Sequence, residues 1–204
     1  MDVTLSGHHV GMLGTDTPET PADRFRRRTT GLIETLADVP DEKWDAPSTC
    51  DDWSVRQVAG HLAETQQLFA GFVGKELEPG PSVDDDPAGA VVAALAQTQA
   101  FLDDPDVATT EFDGMMGRST YQDAVDRFGS LDLVLHRWDA GTGAGVPVEL
   151  DEVDVDAILR SIDQLPDDRL AMFRSPGVFG PELEAPDGAD AQTRMLAFAG
   201  RQAW

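Results

Sequence analysis

Phe128-Gly-Ser-Leu-Asp-Leu-Val-Leu-His-Arg-Trp-Asp139 is the stretch whose reading decides the fold. Its apolar residues recur at helical spacing, and Asp132 and His136 stand four apart, so they share one face of a helix. Phe128 and Leu135 lie close to that face, which turns the acid and the imidazole inward. A buried carboxylate and a buried imidazole cost free energy unless each has a partner. The two can pair with each other, or they can grip one cation together. D-x-x-x-H alone does not separate these readings.

A second stretch bears on the choice. In Trp53-Ser-Val-Arg-Gln-Val-Ala-Gly-His61, Ser54 and Gln57 form a capping box that starts a helix. Its apolar stripe is Val55, Val58, Leu62, Phe69, Phe72 and Val73, and His61 falls inside it. Glu64, three residues later, can satisfy His61 as an ordinary core histidine. Alternatively, His61 joins Asp132 and His136 from a facing helix.

Outward from these two, the spacing predicts a helix over 21–37, with Pro21 in its first turn and Phe25, Leu32, Ile33 and Leu36 inside. A loop over 38–52 holds Trp44, Pro47 and Cys50. Residues 76–87 read as a loop ending in the acidic run Asp84-Asp-Asp. A helix over 87–102 carries Val91, Leu95 and Phe101. Residues 103–118 read as irregular, with Gly114-Met-Met-Gly117 as core filling or an apolar pocket wall. The helix of the opening stretch runs from about Ser119 to Gly141, and Gly141-Thr-Gly-Ala-Gly145 reads as its stop. That glycine run follows a helix rather than a strand, so it is not a dinucleotide fingerprint.

This pattern predicts a mainly α protein in three parts. They are a mobile tail over 1–20, a four-helix bundle over 21–145, and a small α(+β) unit over 146–204 packed on the bundle. In the last part, 151–165 and 190–199 read as helices around a Gly/Pro-rich loop at 174–181. His8 and His9 lie in the tail, where nothing nearby fixes a ligand geometry.

The chain has 204 residues and a formal net charge of −23. Such a charge repels nucleic acid and anionic membrane surfaces. The cluster Arg24, Arg26, Arg27 and Arg28 spreads around its helix and reads as a solvated face. No run approaches the roughly 18 apolar residues of a membrane span. The N-terminus lacks the order of a signal peptide, so a cytoplasmic location is expected. A single cysteine, Cys50, excludes an internal disulfide framework. It reads as a packing residue, although it precedes a helix N-terminus that could activate a thiol.

Inward positions on facing helices are where bundles build metal sites. His61, Asp132 and His136 make three protein ligands and leave positions open for water or substrate, as in catalytic sites. The donor set suits zinc, and also iron(II) and nickel(II). Glu64 and Asp139 are candidates to orient the two imidazoles from behind. Arg118 is a candidate for binding a substrate carboxylate or an exposed surface residue, and Trp138 is a candidate pocket wall.

Cys50-Asp-Asp-Trp-Ser-Val-Arg-Gln-Val-Ala-Gly-His61 and Asp132-Leu-Val-Leu-His-Arg-Trp-Asp139 resemble the two hallmark motifs of the DinB-like metal-binding bundle proteins. The branch most similar includes mycothiol-dependent maleylpyruvate isomerase. The resemblance runs from about residue 21 to the C-terminus. It implies a bundle with one divalent ion, usually zinc, at the positions of His61, Asp132 and His136. It also implies a thiol such as mycothiol as co-substrate and a small-molecule electrophile as substrate.

The ion lowers the pKa of a bound thiol, whose anion attacks carbon and leads to transfer or to cis–trans isomerisation. Two departures stand out. The thiol-dependent members carry Glu where this chain has Asp132, one methylene shorter. They also often continue Trp-Asp with Leu-Ala-Arg, where this chain has Ala140-Gly-Thr. A metal-dependent hydrolase with water as nucleophile, and a non-catalytic metal- or small-molecule-binding protein, stand as the alternative readings.

Overall fold

A computed structural model describes residues 18–50, 52–114, 117–166, 170, 174 and 179–204. His8, His9, Met115 and Met116 lie outside the described residues, as does most of the 1–20 segment.

Helix α1 spans Pro21–Ala37, and Thr20 and Asp23 close a capping box at its start. Helix α2, Val55–Phe72, begins with the expected Ser54–Gln57 box. Helix α3, Pro87–Asp103, opens on Asp86, whose carboxylate accepts the Gly89 amide. Each cap satisfies donors that the first helical turn leaves without partners. After a short helix α4, Pro105–Ala108, come strands β1 (Glu111–Gly114) and β2 (Gly117–Thr120). They pair antiparallel, Glu111 opposite Thr120 and Gly114 opposite Gly117. The irregular segment expected over 103–118 is thus a short helix and a hairpin. Its strands are four residues each, too short and too polar to show a period-2 pattern.

Helix α5 (Tyr121–Ala124), a π-helical turn (Val125–Gly129) and helix α6 (Ser130–Ala144) form one continuous rod. The rod passes through Gly141 instead of stopping there. Gly145, at φ 81°, makes the left-handed cap. Gly143 stays helical because it packs on the 47–48 loop: a Cβ on it would lie 2.6 Å from Ser48 Cα and 2.8 Å from Pro47 O.

Helices α1, α6, α2 and α3 pack in a ring, each against two of the others. Phe25, Leu32, Leu36, Val58, Leu62, Leu95, Tyr121 and Leu133 are fully buried among them. Each such aliphatic side chain contributes about 1.5–3 kcal/mol of burial.

A second core lies on the other side of α6. Val134, Leu135 and Trp138 pack there with Leu150, with Val155 and Ile158 of α7 (Glu152–Asp163), and with Met195 and Leu196 of α8 (Ala191–Phe198). No strand occurs among the described residues of 146–204, so that unit is helical where described.

The arginines of α1 are not a solvated face. Arg24 holds Asp126 beside α6 at 2.9 and 2.7 Å. Arg26 holds Asp103 of α3 at 2.7 and 2.9 Å. Arg27 and Arg28 converge on Asp154 of α7 at 2.6 and 2.7 Å. Arg28 and Asp154 are buried. An arginine run that spreads around a helix can reach three neighbours, and here acids wait on each. Among the described residues no helix is long and apolar enough to cross a membrane.

Candidate metal centre

Helix α2 carries His61 and helix α6 carries Asp132 and His136, on faces that meet at the boundary between the bundle core and solvent. The three residues each bring one donor atom within 4.8 Å of the others. His61 Nε2 lies 3.3 Å from Asp132 Oδ1 and His136 Nε2 lies 3.2 Å from it. Donors about 2.1 Å from one tetrahedral ion stand about 3.4 Å apart, so these separations suit a shared cation as well as direct hydrogen bonds.

Asp132 Oδ2 is buried and accepts no hydrogen bond, although His61 Nε2 approaches within 3.3 Å. A buried carboxylate oxygen without a partner is costly, and a cation between the three groups relieves that cost. The residues present therefore fit a divalent ion.

Behind this set, Asp139 Oδ2 accepts from His136 Nδ1 at 2.9 Å. An ionised carboxylate can only accept, so Nδ1 carries a proton toward Asp139; Nε2 faces Asp132 and is the nitrogen that would bind a cation once it gives up its own proton. Asp139 is fully buried. Thr49 donates its hydroxyl to Oδ1 at 2.7 Å. Arg201, from beyond α8, reaches back with Nε 3.1 Å from Oδ1 and Nη2 2.8 Å from Oδ2.

The field at the site favours positive charge. Burial opposes an imidazolium at His136, but Asp132 and Asp139 outweigh it and raise its pKa to about 9. Burial pushes Asp132 up, yet His136 and His61 hold its carboxyl well below the usual carboxylate range. Burial also opposes the Asp139 carboxylate, while His136 and Arg201 bring it down to about 2.

Trp53 covers both imidazoles, its ring 4.8 Å from that of His61 and stacked 5.9 Å from that of His136. Cys50 lies beside the cluster, its sulfur within 4.8 Å of donor atoms of His136 and Asp139. It is 3.9 Å from Arg201 Nη2. Cys50 packs against the bundle core as expected, and the loop before α2 also places it beside His136 although no histidine is near it in sequence.

Glu64 is exposed and lies on the wall of a separate groove toward α3. Thr65 is the residue that meets His61, its hydroxyl 3.5 Å from Nε2. Arg118 sits on the exposed hairpin, paired with Glu111 at 2.6 Å. Trp138 is buried in the second core, away from the imidazoles. Sequence reasoning did not pick out Thr49, Trp53, Thr65 or Arg201. Trp53 stands in the quoted motif and could have been found there, eight residues before His61. Arg201 has no periodicity to mark it.

The mainly helical fold is that of a DinB-like bundle. Residues 25–141 match the mycothiol maleylpyruvate isomerase N-terminal domain, and the chain belongs to that family. An uncharacterized protein of Mycobacterium tuberculosis strain H37Rv is 23% identical over 190 residues, covering 89% of this chain and 97% of its own length. An uncharacterized protein of strain CDC 1551 is similar to the same extent. No solved structure matches the chain.

Proposed function

We propose that His61, Asp132 and His136 hold one divalent ion, zinc first among the fitting metals, and that the protein is a thiol-dependent transferase or isomerase. The low-molecular-weight thiol is of the mycothiol type, and the acceptor is an electrophilic small molecule. The observation that carries the metal part is Asp132 Oδ2, buried without a hydrogen bond where two imidazoles converge. Family membership supports the thiol part.

A divalent ion held there lowers the pKa of a thiol or water that binds it and so supplies a nucleophile near neutral pH. The chain's own residues do the rest. Asp139 keeps the proton on His136 Nδ1 and leaves Nε2 free. Arg201 and Thr49 keep Asp139 ionised and aimed. Trp53 shields the rings from bulk water, which strengthens the electrostatics of the site. Side-chain exposures of 33% at His61 and 24% at Asp132 leave the two open to ligands from solvent.

The test is metal content of untagged protein by elemental mass spectrometry, followed by turnover of electrophiles with and without thiol. Near one equivalent of zinc in the wild type and little in His61→Ala is the expected result. No metal in the wild type, and no affinity for added ions, overturns the metal assignment. Turnover that needs no thiol overturns the transferase and makes the protein a hydrolase.

A further inference from the structure

His61, Thr65, Leu68 and Phe72 follow at i, i+4, i+7 and i+11, so they share one face of α2. Leu68 is 59% exposed and Phe72 39%. Across the groove, Phe128 precedes Asp132 by one turn and is 38% exposed. These are three of the six large apolar side chains exposed among the described residues, and the helical spacing sets Leu68 and Phe72 on the His61 face of α2 and Phe128 one turn before Asp132 on the facing rod.

The helices are close at this level, since a Cβ on Gly129 would come 3.0 Å from the Phe69 ring. Phe72 stacks on Phe112 of β1 at 4.9 Å with 19° between planes, so the hairpin closes the far end. An apolar strip therefore starts at His61 and Asp132 and ends at the hairpin.

Single exposed apolar residues need no explanation, but a contiguous group beside a polar site does. The arginines that hold ion pairs near the site are already matched by acids, which favours an uncharged ligand. Arg118 is committed to Glu111, and Arg201 to Asp139 and the Ala199 carbonyl. Arg127 is turned roughly a quarter of a turn from Phe128 on the helix. The net charge of −23 repels dianions further.

We infer that the strip formed by Leu68, Phe72, Phe112 and Phe128 is the subsite for the acceptor, an uncharged electrophile bearing an aromatic or branched apolar group. The inference rests on the thiol-transfer reading for what happens at the His61 end of the strip. A second copy of the chain is the poorer occupant. Four side chains fall far short of the roughly 20–30 residues a side of a stable interface. A second copy there would also cover the exposed sides of His61 and Asp132.

The experiment uses zinc-loaded full-length protein and the uncharged fluorophore N-phenyl-1-naphthylamine. The expected result is saturable fluorescence enhancement in the wild type and at least tenfold weaker binding in the Phe72→Ser/Phe128→Ser variant. Val153→Ser, on α7, serves as control and binds as the wild type does. Ethyl cinnamate displaces the probe and maleate at the same concentration does not.

Wild-type probe affinity in the double variant overturns the proposal, as does displacement by maleate but not by ethyl cinnamate. A wild-type dimer that dissociates in the double variant, seen by light scattering, also overturns it and assigns the strip to a second copy. Zinc is measured in every sample. A wild type that fails to load zinc but binds the probe fails the metal reading alone.

Discussion

Arg201 grips both oxygens of Asp139 from 62 residues further along the chain, and both side chains are buried. The contact ties the end of the C-terminal unit to the imidazole that Asp139 orients. Replacing Arg201 by Met leaves Asp139 a buried carboxylate with its main cation gone. The expected outcome is a 10–100-fold loss of zinc affinity with helical content retained, the usual size for a group that supports a ligand. Chelator competition measures it. Arg201→Lys recovers part of the loss only, because an ammonium cannot fork across two oxygens. Unchanged affinity in Arg201→Met removes Arg201 from the site.

Asp132→Ala and Glu64→Ala separate the acid among the imidazoles from the acid one turn away in solvent. The first removes a carboxylate that both imidazoles approach. The second removes an exposed group on another groove. Asp132→Ala is expected to abolish retention of one equivalent through gel filtration, and Glu64→Ala to leave it intact. Equal losses refute the ligand set.

The helices were legible because caps and apolar spacing are local: the Thr20, Ser54 and Asp86 starts are all written within four residues. His61, Asp132 and His136 were legible as a set because helical spacing and the bundle motif put them on facing helices. The rest depends on distant contacts. The hairpin has no period to read. The helix passes through Gly141 and Gly143 because other chain segments press on those glycines. Arg201 reaches Asp139 only after α8 has docked. Arg28 became a buried partner of Asp154 through α7, which no local pattern on α1 announces.

Asp154 contributes to the pH dependence of stability in the acid range. Burial raises its pKa, but Arg27 and Arg28 outweigh that and lower it below the ordinary carboxylate value. The unfolded chain has the higher pKa, about 3.9, so the stabilisation is present above about pH 4 and is lost as pH falls through the folded pKa. Asp154→Asn removes the nearer counter-charge of buried Arg28 and leaves it only Asp126 at 3.9 Å, which costs about 3 kcal/mol at pH 7. Urea unfolding between pH 2.5 and 7 tests this. The variant is expected to lose less stability on acidification than the wild type. Parallel curves rule out the Asp154 linkage.

Gly143 and Gly71 give helix substitutions of opposite sign. Both lie in helices, α6 and α2. A Cβ at Gly71 meets nothing within 4 Å, so Gly71→Ala gains helix propensity and is expected to stabilise by about 0.5–1 kcal/mol. A Cβ at Gly143 meets Ser48 Cα at 2.6 Å and Pro47 O at 2.8 Å. These are backbone atoms that yield only if the whole loop shifts. Overpacking of this kind costs about 1–3 kcal/mol. The same loop carries Thr49, whose hydroxyl bonds Asp139 at 2.7 Å, so the shift also reaches the metal centre. Gly143→Ala is expected to lower both the urea midpoint and the zinc affinity, while Gly71→Ala raises the midpoint and leaves zinc unchanged. A Gly143→Ala protein with wild-type stability shows that the 47–49 loop does not lock the helix in place.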